Sequence, residues 1–154
     1  MLFRSEPVIG VIYDPVRDRL FSAAKGAGAT VDGGRLSVSG TTYLDDALSV
    51  TGFPYDRRTR AQAYLPRVAA ALSRTQGLRR TGSAAMDLAT LASGASDLYW
   101  EEQLKPWDTA AGAVLVREAG GRVTRVDGSP WHPGSPDILA TNGRLHDAVV
   151  EMLG

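Results

Sequence analysis

Asp108 holds the strongest chemical position in the chain. It follows Pro106-Trp107 where a loop turns into a helix, and three small residues, Ala110, Ala111 and Gly112, come soon after. A carboxylate at a helix start faces backbone N–H groups that lack intrahelical partners, and their partial positive charge keeps it ionised. An ionised carboxylate is a hard oxygen donor suited to Mg²⁺. A helix cap uses the same residue type at the same place, so position alone leaves both roles open. The small residues also admit two uses, close approach of a ligand or backbone and tight helix packing.

Gly82-Ser83-Ala84-Ala85 joins a strand to a helix. Outward-pointing N–H groups there suit a phosphate or a polyol oxygen. The simpler alternative is a capped helix start with Ser83 as N-cap. Glu101 lies at a strand end, seven residues before Asp108. It can accept hydrogen bonds from sugar hydroxyls, or it can be a solvated side chain. Glu102 beside it is read as the solvated one.

Other chemical groups carry less. His132 and His146 are the only histidines, and neither sits in a metal-pair or catalytic-base pattern. Asp14-Pro15-Val16-Arg17-Asp18 offers two carboxylates, which a turn between strands explains. The glycines of Lys25-Gly26-Ala27-Gly28 and Asp32-Gly33-Gly34 have strands on both sides. A phosphate loop needs a helix N-terminus after it, so plain hairpin turns are favoured.

These residues need elements to position them. Val8, Ile9, Val11, Ile12 and Tyr13 form a β-branched and aromatic run interrupted by Gly10, and 20–24 can return as its partner. Residues 29–31 and 35–38 read as a hairpin about Asp-Gly. From Asp45 the pattern changes. Strands are expected over 47–51, 78–81, 97–101, 122–126 and 137–141. Helices are expected over 60–74, 84–92, 108–119 and 145–153, with Leu65, Val68, Ala69 and Leu72 as the apolar face of the first. Gly94 and Gly120-Gly121 supply helix stops. Strands alternating with helices imply an α/β layer. The expected organisation is 1–44 as the remnant of an antiparallel sheet and 45–154 as an α/β unit.

The composition sets limits. The 154 residues suffice for one core, with 44% apolar and 22% charged residues, as in ordinary globular domains. Lys+Arg and Asp+Glu are both 17, so no positive excess exists to drive counterion release, and nucleic acid is not expected as a partner. There is no cysteine, which removes disulfides, thiolate catalysis and Cys-based zinc sites. No apolar run approaches the roughly 18 residues that span a bilayer. A cytoplasmic protein without membrane contact is expected.

Together the segments resemble the inositol monophosphatase family of metal-dependent phosphatases. Trp107-Asp108-Thr109-Ala110-Ala111-Gly112, followed by Val116-Arg117-Glu118-Ala119-Gly120-Gly121, is similar to that family's C-terminal signature. Pro7-Val8-Ile9-Gly10-Val11-Ile12-Tyr13-Asp14-Pro15, Gly26-Ala27-Gly28-Ala29, Thr51-Gly52-Phe53-Pro54-Tyr55 and Gly82-Ser83-Ala84-Ala85 resemble its preceding segments in order. The resemblance implies a partial, layered α-β-α sugar-phosphatase-like fold: the end of an antiparallel sheet, then a mixed sheet with flanking helices. It implies that Asp108 ligates a catalytic Mg²⁺ and that Glu101, Gly82, Ser83 and Ala84 bind substrate. The implied reaction is hydrolysis of a phosphate monoester, with inositol monophosphate favoured over histidinol phosphate, fructose-1,6-bisphosphate or a sulfated nucleotide. A homodimer is implied as well.

One departure matters. The family's other metal ligands come from an Asp-Pro-x-Asp-Gly-Thr motif and an upstream Glu, and the chain contains no Asp-x-x-Asp-Gly-Thr. The chain is therefore expected to be a truncated member, weak or inactive alone, with an uncovered sheet edge and apolar face that favour self-association. A non-catalytic module that binds a sugar phosphate or a partner protein is the alternative.

Overall fold

The computed structural model describes residues 2–3 and 6–154. Met1, Arg4 and Ser5, part of the expected 1–44 unit, lie outside the described residues. Strands β1 (Leu2–Phe3) and β2 (Glu6–Pro7) pair with each other. Strands β3 (Ile9–Asp14), β4 (Arg19–Ala24), β5 (Gly28–Val31) and β6 (Gly34–Arg35) form an antiparallel meander in chain order. In β3 the period of two is complete: Gly10, Ile12 and Asp14 are buried while Ile9, Val11 and Tyr13 are exposed. The Asp14 carboxylate accepts from the N–H groups of Val16 and Arg17 and from the Arg17 guanidinium, and Asp18 accepts from the Tyr13 hydroxyl. Both carboxylates of that segment thus serve the turn. Asp32 and Gly33 sit at φ 50° and 80°, the left-handed pair that a two-residue hairpin loop requires.

The second sheet has the order β10-β11-β9-β7-β8. Its strands are β7 (Leu48–Thr51), β8 (Gly77–Arg79), β9 (Leu98–Glu102), β10 (Arg122–Thr124) and β11 (Asp137–Thr141). β7 runs parallel to β8 and β9, and β11 runs antiparallel to β9 and β10. The helices are α1 (Arg57–Arg74), α2 (Ala84–Ala92), α3 (Pro106–Glu118) and α4 (His146–Leu153). Leu98, Tyr99 and Trp100 are all buried because both faces of the sheet are covered. Tyr99 joins the core of Leu88 and Leu115 from α2 and α3, together with Ile12 and Phe21 of the meander. Leu98 and Trp100 face Ala71 of α1 and Val149 and Met152 of α4. The helices α2 and α3 therefore lie between the two sheets, and α1 and α4 cover the outer face of the mixed one. Among the described residues no helix is long and apolar enough to cross a membrane.

The expected α/β fold with an antiparallel and a mixed sheet is what forms. Two close approaches hold its layers together. A Cβ on Gly10 would lie 2.3 Å from the carbonyl oxygen of Ala111, and one on Gly112 would lie 2.5 Å from Leu88. The small residues after Asp108 thus serve packing of α3 on β3 and α2. Glu118, near the end of α3, accepts the backbone N–H groups of Gly26 and Gly28, at 2.9 Å each, and pins the β4–β5 turn.

Helix α1 departs from expectation. Leu65 and Leu72 are exposed, while Tyr64 and Ala71 are buried. The inward stripe is rotated by one residue because it runs through Arg67, whose guanidinium is bonded to the Leu153 carbonyl and to Glu102. A charged residue with internal partners hid the true face from a search for apolar spacing. Helix α3 begins at Pro106 rather than Asp108, since a proline suits the first helical position. The strand expected over 122–126 ends at Thr124, because the N–H of Val126 turns to the Asp137 carboxylate.

Candidate functional site

The parallel strands β7, β8 and β9 all end on one side of the sheet, and each leads through a short loop into α1, α2 or α3. Ligands in open α/β sheets bind outside such carboxyl ends, where helix N-termini also point. A cleft of about 860 Å³ opens there. Gly82, Ser83, Ala84, Glu101 and Asp108 all border it. The fold thus brings together all five residues singled out in the sequence, from two connections: Gly82, Ser83 and Ala84 between β8 and α2, and Glu101 and Asp108 on either side of the β9–α3 loop.

Ser83 and Asp108 keep the capping roles that were their alternatives, whereas Glu101 is not the solvated side chain of its alternative. Ser83 caps α2 by accepting the Met86 N–H at 3.5 Å. The N–H groups of Ala84 and Ala85, in the first turn, have no intrahelical partner. Gly82 stands at φ 97° with open space where a Cβ would go. Asp108 is the third residue of α3, and its Oδ2 reaches back to accept the Lys105 backbone N–H at 2.9 Å, the N3 half of a capping box. Its Oδ1 makes no hydrogen bond among the described residues. Capping and ligation are therefore compatible, one oxygen for each. Asp108→Ala is expected to lower stability by about 1 kcal/mol, and Asp108→Asn, which keeps an acceptor, by clearly less. Urea denaturation of the two variants checks this.

Glu101 is half-buried. Its Oε2 accepts the Tyr99 hydroxyl at 2.7 Å, and the carboxylate lies so close to Gly52 that a Cβ there would sit 2.1 Å from it. Burial, then the negative charges of Asp87 and Asp108, push its pKa up. Glu102, expected to be solvated, is instead paired with Arg67 and half-buried, because α1 packs beside the end of β9. Asp87 lies buried in the first turn of α2, with one oxygen bonded to the Thr81 hydroxyl and the other without a partner among the described residues. Burial raises its pKa too.

Three residues beside the cleft escaped the sequence reading. Asp87 carried a usable signal, being an ionisable residue on the apolar face of α2. Gly52 was marked only as part of the Thr51–Tyr55 segment of the resemblance, with no role of its own, and Gln103 carried no signal, because the groups that contact them come from distant segments. The residues present fit Mg²⁺ only in part. Asp108 offers one free oxygen, but no three His, Asp or Glu side chains gather as a metal site among the described residues. A Mg²⁺ ion gives up its water reluctantly, so one carboxylate does not define its site.

Comparison with known proteins agrees with the fold. The profile of the inositol monophosphatase family matches residues 1–153. The chain is 46% identical over 153 residues to an inositol-1-monophosphatase of Synechocystis sp., covering 99% of this chain and 53% of that protein. It is 42% identical over 142 residues to the Nus factor SuhB of Escherichia coli K12, covering 92% of this chain and 53% of the relative. The structure of inositol monophosphatase from Anabaena (Nostoc) sp. superposes with a TM-score of 0.92 at 47% identity, covering 96% of this chain and 59% of that one. The chain spans about half the length of the curated relatives it matches. Its fold, its motifs and its match from end to end place it in one group: the chain belongs to the inositol monophosphatase family.

Proposed function

We propose that this chain forms the polyol-facing wall of a Mg²⁺-dependent phosphate monoester phosphatase, with an inositol monophosphate as the favoured substrate. The supporting observation is the convergence of Glu101, Asp108 and the 82–84 loop on one cleft. Glu101 accepts hydrogen bonds from ring hydroxyls. The free N–H groups of Ala84 and Ala85 donate to substrate oxygens, and the dipole of α2 favours negative charge there. Arg57, Arg80 and Lys105 line the same cleft and offset the charge of a phosphate. Asp108 contributes one carboxylate oxygen towards a cation, and the remaining ligands lie outside this set. Turnover by the chain alone is accordingly low. A homodimer, which the family resemblance implies, is part of the same proposal.

Calorimetry with inositol 1-phosphate, with and without Mg²⁺, tests this beside an assay of phosphate release. The expected result is binding that weakens about tenfold in Glu101→Gln, since hydrogen bonds to a charged group are worth about 1.5 kcal/mol at the low end of their range, with release close to background. Absence of binding would remove the substrate assignment. Robust release abolished by Asp108→Ala would overturn the claim of low turnover.

A second role, binding without turnover, is favoured by the relatives named Nus factor SuhB and by the incomplete acid set. In that case binding is indifferent to Mg²⁺.

A further inference from the structure

The loop from β9 to α3 is held from outside the cleft. Its first residue, Gln103, stands at φ 58°, in the left-handed region that a side chain other than glycine enters with strain. Such strain persists only where the surroundings over-determine it. The Gln103 backbone N–H donates to the Pro136 carbonyl at 2.7 Å. Its side-chain amide donates to Asp56 Oδ2 at 3.2 Å and to the Tyr64 hydroxyl at 3.3 Å. Tyr64 is buried and donates its own hydroxyl to Asp56 Oδ1 at 2.6 Å. Arg60 pairs with the same carboxylate at 3.4 Å. The Tyr64 hydrogen bond above all, then those of Gln103 and the charge of Arg60, keep Asp56 below the usual carboxylate range.

Those contacts lead towards the chemistry. Gln103 borders the cleft directly after Glu101 and Glu102. Two residues on, the Lys105 N–H holds Asp108 Oδ2. The start of α1, anchored by buried Tyr64, is thus connected through Gln103 to the start of α3. We propose that Asp56, Tyr64 and Gln103 are positioning residues, a strut from α1 that fixes loop 103–107 and with it the placement of Asp108 relative to Glu101. The consequence for ligand binding rests on the function proposed above, while the consequence for the loop does not.

A charge swap separates this contact from general damage. Gln103→Glu sets a carboxylate against Asp56. Adding Asp56→Asn supplies an amide that donates to the new carboxylate and leaves an oxygen for Tyr64. Two quantities are read on the full chain: hydrogen–deuterium exchange over 104–109, and affinity for inositol 1-phosphate with Mg²⁺. Gln103→Glu is expected to speed exchange over 104–109 by about tenfold or more and to weaken binding about fivefold, with β11 and α2 unchanged. Gln103→Ala, which removes the tether without adding charge, moves both in the same direction by less. The double variant is expected to restore both to within about twofold of the parent. Unchanged exchange in Gln103→Glu, or no restoration in the double variant, would overturn the strut. Faster exchange with unaltered affinity would overturn its positioning role. If the parent binds no inositol phosphate, the function proposed above falls, and the exchange result alone decides the strut.

Discussion

Gly10→Ala is expected to loosen the antiparallel sheet from α3 and to cost about 3 kcal/mol, the upper end of ordinary overpacking. The added Cβ would lie 2.3 Å from the Ala111 carbonyl oxygen and 3.0 Å from its Cα. Both partners are backbone, so no rotamer change relieves the clash. Either β3 or α3 must shift, and Ile12 and Phe21 then lose their fit against Ala113 and Val114. Gly26→Ala gives the contrast. Gly26 has φ 79° and nothing within 4 Å of the added Cβ, so only backbone strain of about 1 kcal/mol is incurred. Urea unfolding of the two variants, followed by tryptophan fluorescence, is expected to rank them in that order. Equal midpoints would show that the sheet does not depend on this approach.

Acid is expected to destabilise the fold through His146. The ring is fully buried, with Nε2 2.9 Å from the Thr124 hydroxyl and Nδ1 2.9 Å from the Thr141 hydroxyl. Thr124 already donates its proton to the Arg125 carbonyl, so it accepts from Nε2–H. Thr141 is then free to donate to Nδ1. A second proton on the ring would face the Thr141 oxygen and break that arrangement. Burial, and then the charge of Arg122, lower the His146 pKa from 6.5 to about 4. The unfolded chain takes up a proton near its ordinary pKa and the folded chain does not. Stability is therefore complete above pH 6.5 and falls as the pH drops from 6.5 to 4. The loss reaches about 3 kcal/mol for a shift of this size. Urea midpoints at pH 7 and pH 4.5 measure it. His146→Phe is expected to flatten the dependence in this window, although it leaves two hydroxyls without their partner and starts from lower stability. A slope that survives in His146→Phe would assign the effect elsewhere.

What could be read from the chain depended on how local its causes were. Helix α2 was legible residue by residue, because Ser83, the small and apolar stretch of 84–92 and Gly94 carry start, body and stop within twelve residues. The Asp32-Gly33 turn was legible for the same reason. The cleft was legible where family motifs marked it, at Glu101, Asp108 and Gly82–Ala84. It was not legible where a residue acts through a distant neighbour. Gly52 matters because Glu101 presses on it, and Gln103 matters because Asp56 and Tyr64 reach it from α1. The face of α1 was misread because Arg67, polar in any sequence pattern, finds its partners inside the fold.

The Glu118 carboxylate joins turn residues that lie 92 and 90 positions earlier in the chain. Synthesis proceeds from the N-terminus at about 5–20 residues per second, so roughly 5–20 seconds separate the appearance of that turn from the appearance of its acceptor. Through most of this interval the meander has been made, but α3, the last residue of which is Glu118 itself, does not yet exist to cover its inner face. The sheet can pair as soon as β6 is made, but the burial of Ile12 and Phe21 beneath α3 waits on the ribosome, and the covering of this sheet is thus an event of late synthesis rather than of early collapse.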